Sequence, residues 1–112
     1  MRYCPKSAKG FKINDFVAED LGIEDWESLW GGEQFDCELA YEIEEKFGVY
    51  PYRILKFEES RGGEITGLSG FDNGETYVLF DEDESGEEWD KFEALLEEKG
   101  ITIDSGSWSQ LM

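Results

Sequence analysis

The chain contains no histidine, and its 112 residues include only two cysteines and two prolines. The absence of histidine removes the side chain most often used as a general base and as a zinc ligand. Two cysteines are too few for a zinc site made of cysteines alone, and the sequence has no GxxxxGK[ST] phosphate-binding loop. Carboxylate pairs are so numerous that none stands out as a glycosidase couple. We therefore expect no enzymatic activity and no cofactor.

Long apolar runs are also missing. No segment approaches the roughly 18 apolar residues needed to cross a membrane. The basic residues 1–12 are not followed by the apolar region of a secretory signal. These absences predict a soluble cytoplasmic protein that does not enter membranes. In that compartment we expect Cys4 and Cys37 to be reduced thiols, although a single disulfide between them stays open.

Basic residues are scarce relative to acidic ones. The sequence has 28 aspartates and glutamates against 10 lysines and arginines, which gives a net charge of -18. Aromatic residues make up 15% of the chain, whereas disordered acidic chains are poor in aromatics, so we expect a folded protein. Its field repels nucleic acid and anionic membranes and attracts basic protein surfaces. We therefore expect a basic protein partner, with solubility as the simplest alternative use of the charge.

The hydrophobic pattern changes from a helical to a strand period and back along the chain. Consecutive strands joined by short turns, one of them at Asn73-Gly74, indicate an antiparallel meander. The expected fold class is α+β, as a single domain over residues 1–112, with short N-terminal helices, a three-stranded or four-stranded antiparallel sheet and one C-terminal helix. The tail is expected to be a loose end, anchored if at all by Trp108. The predicted helices are 15–21, 24–30, 33–47 and 87–99, and the predicted strands are 49–58, 64–71, 75–80 and, as the fourth, 101–103.

Acidic residues are densest between Phe80 and Gly100, where ten carboxylates face only Lys91 and Lys99. The second half of this stretch also carries apolar residues at helical spacing, so it is predicted to be a helix with anions on its outer side. The predicted helix 33–47 has the same character. We predict that the partner-binding residues are acids of these two regions: Asp81, Glu82, Asp83, Glu84, Glu87, Asp90, Glu97, Glu98, Glu38, Glu42 and Glu45.

The segment from Asp81 to Gly86 matches D-x-D-x-S-G, the first half of an EF-hand calcium loop. The match then fails, because position 12 is Phe92 where a bidentate glutamate is required. The preferred interpretation is that Ser85 caps the following helix and that Glu88 completes a capping box. Calcium binding by this loop stays open as an alternative.

The aromatic residues have two interpretations. Trp26 and Trp30 are expected on one helix face, and Tyr50 and Tyr52 on one strand face. Core packing is the favoured interpretation, since a short chain needs large side chains to fill its core. Anchoring of an interface is the alternative, because Trp and Tyr dominate binding hot spots.

In size, acidity, aromatic content and absence of a catalytic site, the chain resembles the small inhibitors made by phages and mobile elements. These include antirestriction and anti-CRISPR proteins, many of which are DNA mimics. The resemblance implies a stoichiometric inhibitor that occupies the nucleic-acid-binding surface of a host defence nuclease, in the first place an RNA-guided Cas effector in the host cytoplasm. The acids at 81–98 would then meet lysines and arginines that normally hold DNA phosphates.

Two further functions stay open. The first is an immunity protein or antitoxin that neutralises a basic nuclease toxin. The second is a calcium-binding acidic domain.

The net charge predicts that the protein itself does not bind nucleic acid. The pure protein should leave the mobility of duplex DNA unchanged in a gel-shift assay at low salt, where charge repulsion is least screened. A retarded band would contradict this prediction.

Overall fold

The computed structural model describes residues 3–33, 36–57, 65–72 and 74–111, with side chains at 7–33, 36–57, 70–72 and 74–107. Five strands and four helices lie within these ranges. The strands are β1 (Tyr3–Lys12), β2 (Arg53–Lys56), β3 (Ile65–Ser69), β4 (Thr76–Asp81) and β5 (Asp104–Leu111). The helices are α1 (Asp15–Asp20), α2 (Trp26–Trp30), α3 (Glu38–Phe47) and α4 (Glu87–Glu98).

All five strands belong to one antiparallel sheet with the order β2-β4-β1-β5-β3. The α+β class and the antiparallel pairing are confirmed. The meander is wrong, because β3 pairs with β5 at the far edge of the sheet and not with its neighbours in sequence. The hairpin expected at Asn73-Gly74 is therefore not formed between β3 and β4; Asn73 itself lies outside the described residues.

Strand β1 was not predicted, yet it is central and pairs with both β4 and β5. Its lysines, Pro5 and Gly10 have low strand propensity, so the sequence does not identify it as a strand. Its side chains still alternate between the two faces of the sheet. Phe11 joins the main core on one face, and Ala8 joins a second cluster on the other. A Cβ atom at Gly10 would collide with the carbonyl oxygen of Val78 on β4. Gly10 therefore permits the close approach of β1 and β4.

The main core lies between the helices and one face of the sheet. Phe92 of α4 packs against Phe11 of β1 and Phe80 of β4, with ring centroids 5.8 Å apart in both pairs. Leu39 and Ile43 of α3 are fully buried in the same core, as their helical spacing predicted. Strand β1 therefore meets β4 and α4, which are distant from it in sequence, on one aromatic cluster.

A second, smaller core lies on the opposite face of the sheet. Strands β2 and β3 occupy opposite edges and β4 lies beside β2, so the chain crosses the sheet on its return from β3 to β4. Phe57 follows β2 and Phe71 lies on this crossing, and their rings stack with centroids 4.8 Å apart. The Tyr77 hydroxyl accepts a hydrogen bond from the Asp72 backbone N–H at 3.0 Å. Burial raises the pKa of Tyr77, because the neutral phenol is the form that a core tolerates.

The C-terminal segment differs from its prediction. Ile101–Ile103 does not form the expected strand; the strand begins at Asp104, and the segment expected to be a loose end is β5. The three serines and one glycine of β5 give little strand propensity, but its backbone is hydrogen-bonded on both sides, by β1 and by β3. Ile101 and Ile103 instead pack against the main core. The side chain of Trp108 lies outside the described residues.

Strand β2 begins at Arg53 rather than at 49, so Pro51 lies two residues before this edge strand and not within it. Helix α1 begins as predicted, with the Asn14 side chain accepting a hydrogen bond from the Val17 N–H at 2.9 Å. Helix α3 ends as predicted at Gly48, whose φ is 78°. It begins at Glu38 rather than at 33, and Phe35 lies outside the described residues.

The aromatic cluster predicts that replacing two helical phenylalanines by alanine changes the unfolding free energy by very different amounts. Phe92 is 2% exposed, whereas Phe16 on α1 is 80% exposed. Phe92→Ala should cost about 3–5 kcal/mol of unfolding free energy, the range for a buried aromatic. Phe16→Ala, the control, should change it by no more than about 0.5 kcal/mol. Denaturant unfolding of both variants measures the difference, and equal effects would contradict this description of the core.

Candidate partner-binding surface

The outer side of α4 presents a row of carboxylates to solvent. At about 100° per residue, the four acids predicted there fall within an arc of about 100° on the side away from Phe92. All four are exposed, as the sequence predicted, while Trp89, Phe92 and Leu96 are buried. The four acids are Glu87, Asp90, Glu97 and Glu98.

The turn before α4 is held by its own backbone and by one lysine. The Asp81 side chain accepts a hydrogen bond from the Asp83 N–H at 3.0 Å, and the Asp81 carbonyl accepts one from the Glu84 N–H at 2.9 Å. Lys9 of β1 donates to the Glu84 carbonyl at 2.6 Å. Asp81 therefore shapes the turn, whereas Glu82 and Asp83 are exposed and Glu84 is half-buried.

The capping box expected at this turn is wrong. The N-cap of α4 is Gly86, with φ at 119°, and no side chain makes a capping hydrogen bond there. Ser85 lies one residue too early, because the chain turns at Gly86. Three acids occupy the first turn of the helix instead, Glu87, Glu88 and Asp90, where they interact favourably with the helix dipole.

The turn does not gather a calcium ligand set. Among the described residues, which include all of Asp81–Gly86, no three Asp, Glu or Cys side chains converge on a point that could hold a metal ion. The Asp81 side chain instead accepts from the turn backbone. The structure therefore gives no support to the EF-hand alternative.

Helix α3 supplies the remaining predicted acids. Glu38 and Glu45 are exposed, and Glu42 is half-buried and pairs with Lys46 at 3.6 Å. On α4, Glu87 pairs in the same way with Lys91 at 3.4 Å. Both pairs are solvent-accessible and have the i,i+4 spacing that contributes only a few tenths of a kcal/mol. The two lysines therefore neutralise part of the negative charge on these helices and leave the rest in place.

Helices α3 and α4 meet where α3 ends. Phe47 packs on Phe92 with ring centroids 4.9 Å apart. A shallow cleft of about 400 Å³ lies over this contact, lined among others by Glu45, Glu88, Lys46 and Lys91. The structure thus brings Glu45 beside α4, although lysines interrupt the acids at this junction.

Some neighbouring polar groups have structural roles. Glu93 accepts a hydrogen bond from the Trp89 indole N–H at 3.1 Å, and Lys9 lies 4.4 Å from the centre of the Trp89 ring. Tyr50, which follows α3, donates its hydroxyl hydrogen to Asp36, which precedes the same helix, at 2.5 Å. This hydrogen bond to a carboxylate raises the pKa of Tyr50, because it favours the protonated phenol. Cys37, at the start of α3, is a buried free thiol.

The sequence analysis did not single out the acids of α1 and α2. The signal was present, since residues 13–33 contain seven acids and no lysine or arginine. The structure places five of them around one cleft of about 710 Å³ between the two helices. They are Asp15, Glu19, Glu24, Asp25 and Glu27.

Comparison with protein-family models, with curated proteins and with solved structures finds no match for this chain. Within the part of the chain that the structure describes, no helix combines the length and apolar character that crossing a bilayer requires.

The geometry of the Asp81–Gly86 turn predicts the outcome of a calcium titration. Calcium at about 1 mM, the range of weak extracellular sites, should leave both the melting temperature and the tryptophan fluorescence unchanged. Trp89, in the first turn of α4, is a built-in reporter of this region. Magnesium at the same concentration controls for general charge screening, and a calcium-specific rise in melting temperature would contradict the prediction.

Proposed function

We propose that this protein is an acidic, non-enzymatic inhibitor that occupies the nucleic-acid-binding surface of a host defence nuclease, with an RNA-guided Cas effector as the first target. The acids of α4 and of the turn before it take the place of DNA phosphates. Lysines and arginines of the nuclease that normally hold the DNA backbone bind these carboxylates. Occupation of that surface prevents DNA from binding.

The spacing of carboxylates along α4 is the observation that carries the proposal. Six exposed acids lie on α4 from Glu87 to Glu98, a distance of about 16 Å at 1.5 Å per residue. Four of them form the outward row, and Glu88 and Glu93 lie outside its arc. The mean axial interval of the six acids is therefore about 3.3 Å. One strand of B-DNA carries one phosphate per 3.4 Å of axis. A basic groove that accepts a DNA strand meets a similar linear density of negative charge on this helix.

The rigidity of the scaffold supports the same proposal. Burial of Trp89, Phe92 and Leu96 fixes the rotation of α4, so its acids are held in place before a partner arrives. A preorganised surface loses less conformational entropy on binding than a disordered acidic tail would. The concentrated field also raises the rate at which a basic partner associates.

Reversal of charge at Asp83, Glu84, Asp90 and Glu97 to lysine tests the proposal. None of these side chains belongs to the buried core, so the variant should stay folded. Its affinity for the nuclease should fall at least about tenfold, because each opposed pair changes from attraction to repulsion. Wild-type affinity should also weaken more steeply with salt than that of the variant. The measurements are melting temperature and Kd, each at two salt concentrations.

A pair of double variants supplies the matched control. Asp90→Lys/Glu97→Lys and Glu33→Lys/Glu44→Lys change the net charge equally, and all four residues are exposed. Only the first pair lies on α4. The first should weaken inhibition of DNA binding far more than the second. If both act equally, or if the folded quadruple variant binds as tightly as wild type, total charge and not the α4 surface is responsible.

The same assay distinguishes a defence inhibitor from an immunity protein or antitoxin. Guide-loaded Cas effectors and basic nuclease toxins can be tested side by side for loss of DNA binding. Inhibition of a toxin alone would favour an immunity protein over a defence inhibitor.

A further inference from the structure

Phe16 is exposed, unlike most of the other large aromatic side chains. Among the described residues, three large hydrophobic side chains are exposed, and Phe16 at 80% exceeds Tyr41 at 51% and Tyr52 at 38%. Both tyrosines carry a hydroxyl that suits water, whereas Phe16 has no polar atom in its side chain. The function proposed above depends on surface charge and does not explain why an apolar ring is exposed at this position.

Phe16 lies on the crest of α1. At about 100° per residue it falls between Glu19 and Asp20 and opposite the buried Ala18. Glu19 lines the cleft between α1 and α2, and Asp20 lines a separate cleft on the other side of the helix. Helix α1 is therefore a ridge with an apolar crest and a groove along each flank.

The two grooves differ in charge. The groove between α1 and α2 has a volume of about 710 Å³, and its described lining includes five carboxylates and no lysine or arginine. The other groove is mixed, because Lys12 and Lys99 share it with aspartates. Basic groups of a partner would therefore enter the first groove.

The acidic groove is built on an apolar floor. Ile23 and Trp26 are both buried and line it, and the Trp26 indole N–H donates to Asp15 at 2.9 Å. A lysine or arginine side chain suits such a groove, because its methylene stem can cover apolar surface while its charged end reaches the carboxylates.

We propose that the α1 ridge is a docking surface for a basic amphipathic segment of a partner protein. An apolar side chain of that segment covers Phe16, and its lysines or arginines enter the groove lined by Asp15, Glu19, Glu24, Asp25 and Glu27. A second copy of the chain does not fit, since two proteins of net charge -18 repel each other. This surface uses none of the residues assigned to DNA mimicry and stands without that function.

Two synthetic peptides of equal length and charge test the proposal. One is an amphipathic helix of leucine and lysine, and the other has serine in place of every leucine. The wild-type protein should bind the leucine peptide at least about tenfold more tightly, because burial of an aromatic anchor dominates such contacts. Phe16→Ser should abolish this difference while the melting temperature stays unchanged. Equal binding of the two peptides by wild type, or retention of the difference by Phe16→Ser, would overturn the proposal.

Two double variants that remove equal charge test where the basic side chains of the peptide bind. Glu24→Gln/Glu27→Gln and Asp90→Asn/Glu97→Gln each remove two negative charges, but only the first pair lines the groove. The first should weaken binding of the leucine peptide, and the second should have a clearly smaller effect. Equal losses would overturn the proposal. So would sedimentation evidence that wild type dimerises and Phe16→Ser does not, because the occupant would then be a second copy.

Discussion

The contact of Phe92 with Phe11 and Phe80 is the interaction on which the rest of the structure depends. It joins α4 to strands β1 and β4, and Phe47 adds α3 to the same cluster. A small chain with a net charge of -18 loses stability through self-repulsion when it becomes compact. Burial of large aromatic side chains is the favourable term that offsets this cost. The cluster also decides which side of each acidic helix faces solvent.

Helix α4 was predictable because all the information that defines it is local. Apolar residues at helical spacing, acids in the first turn and Gly100 after the last turn lie within one short stretch of sequence. The buried set Trp89, Phe92 and Leu96 follows from that spacing alone. The exposed acids of the candidate surface follow as its complement.

Strands β1 and β5 were missed because their stability is not local. β1 has lysines along its length and β5 is rich in serine, yet each is hydrogen-bonded to a strand on either side. A central position lets backbone pairing override weak side-chain propensity. The order of the strands could not be predicted either, since β3 pairs at the edge opposite β2 and the chain then returns across the sheet past Phe71. The exposure of Phe16 also depends on tertiary placement, because its helical spacing alone could equally have served the core.

The structure presents charge in two different ways. On α4 the acids are dense on the outer side of one helix, which suits a partner that normally holds a polyanion. Around the α1 ridge the acids surround an apolar ring, which suits a partner segment that is both basic and hydrophobic. Competition between duplex DNA and this protein for one nuclease tests the central claim most directly. DNA mimicry predicts that added duplex raises the apparent Kd of the protein without limit, because both ligands need the same groove. A plateau in the apparent Kd, which signals a ternary complex of nuclease, DNA and protein, would contradict it.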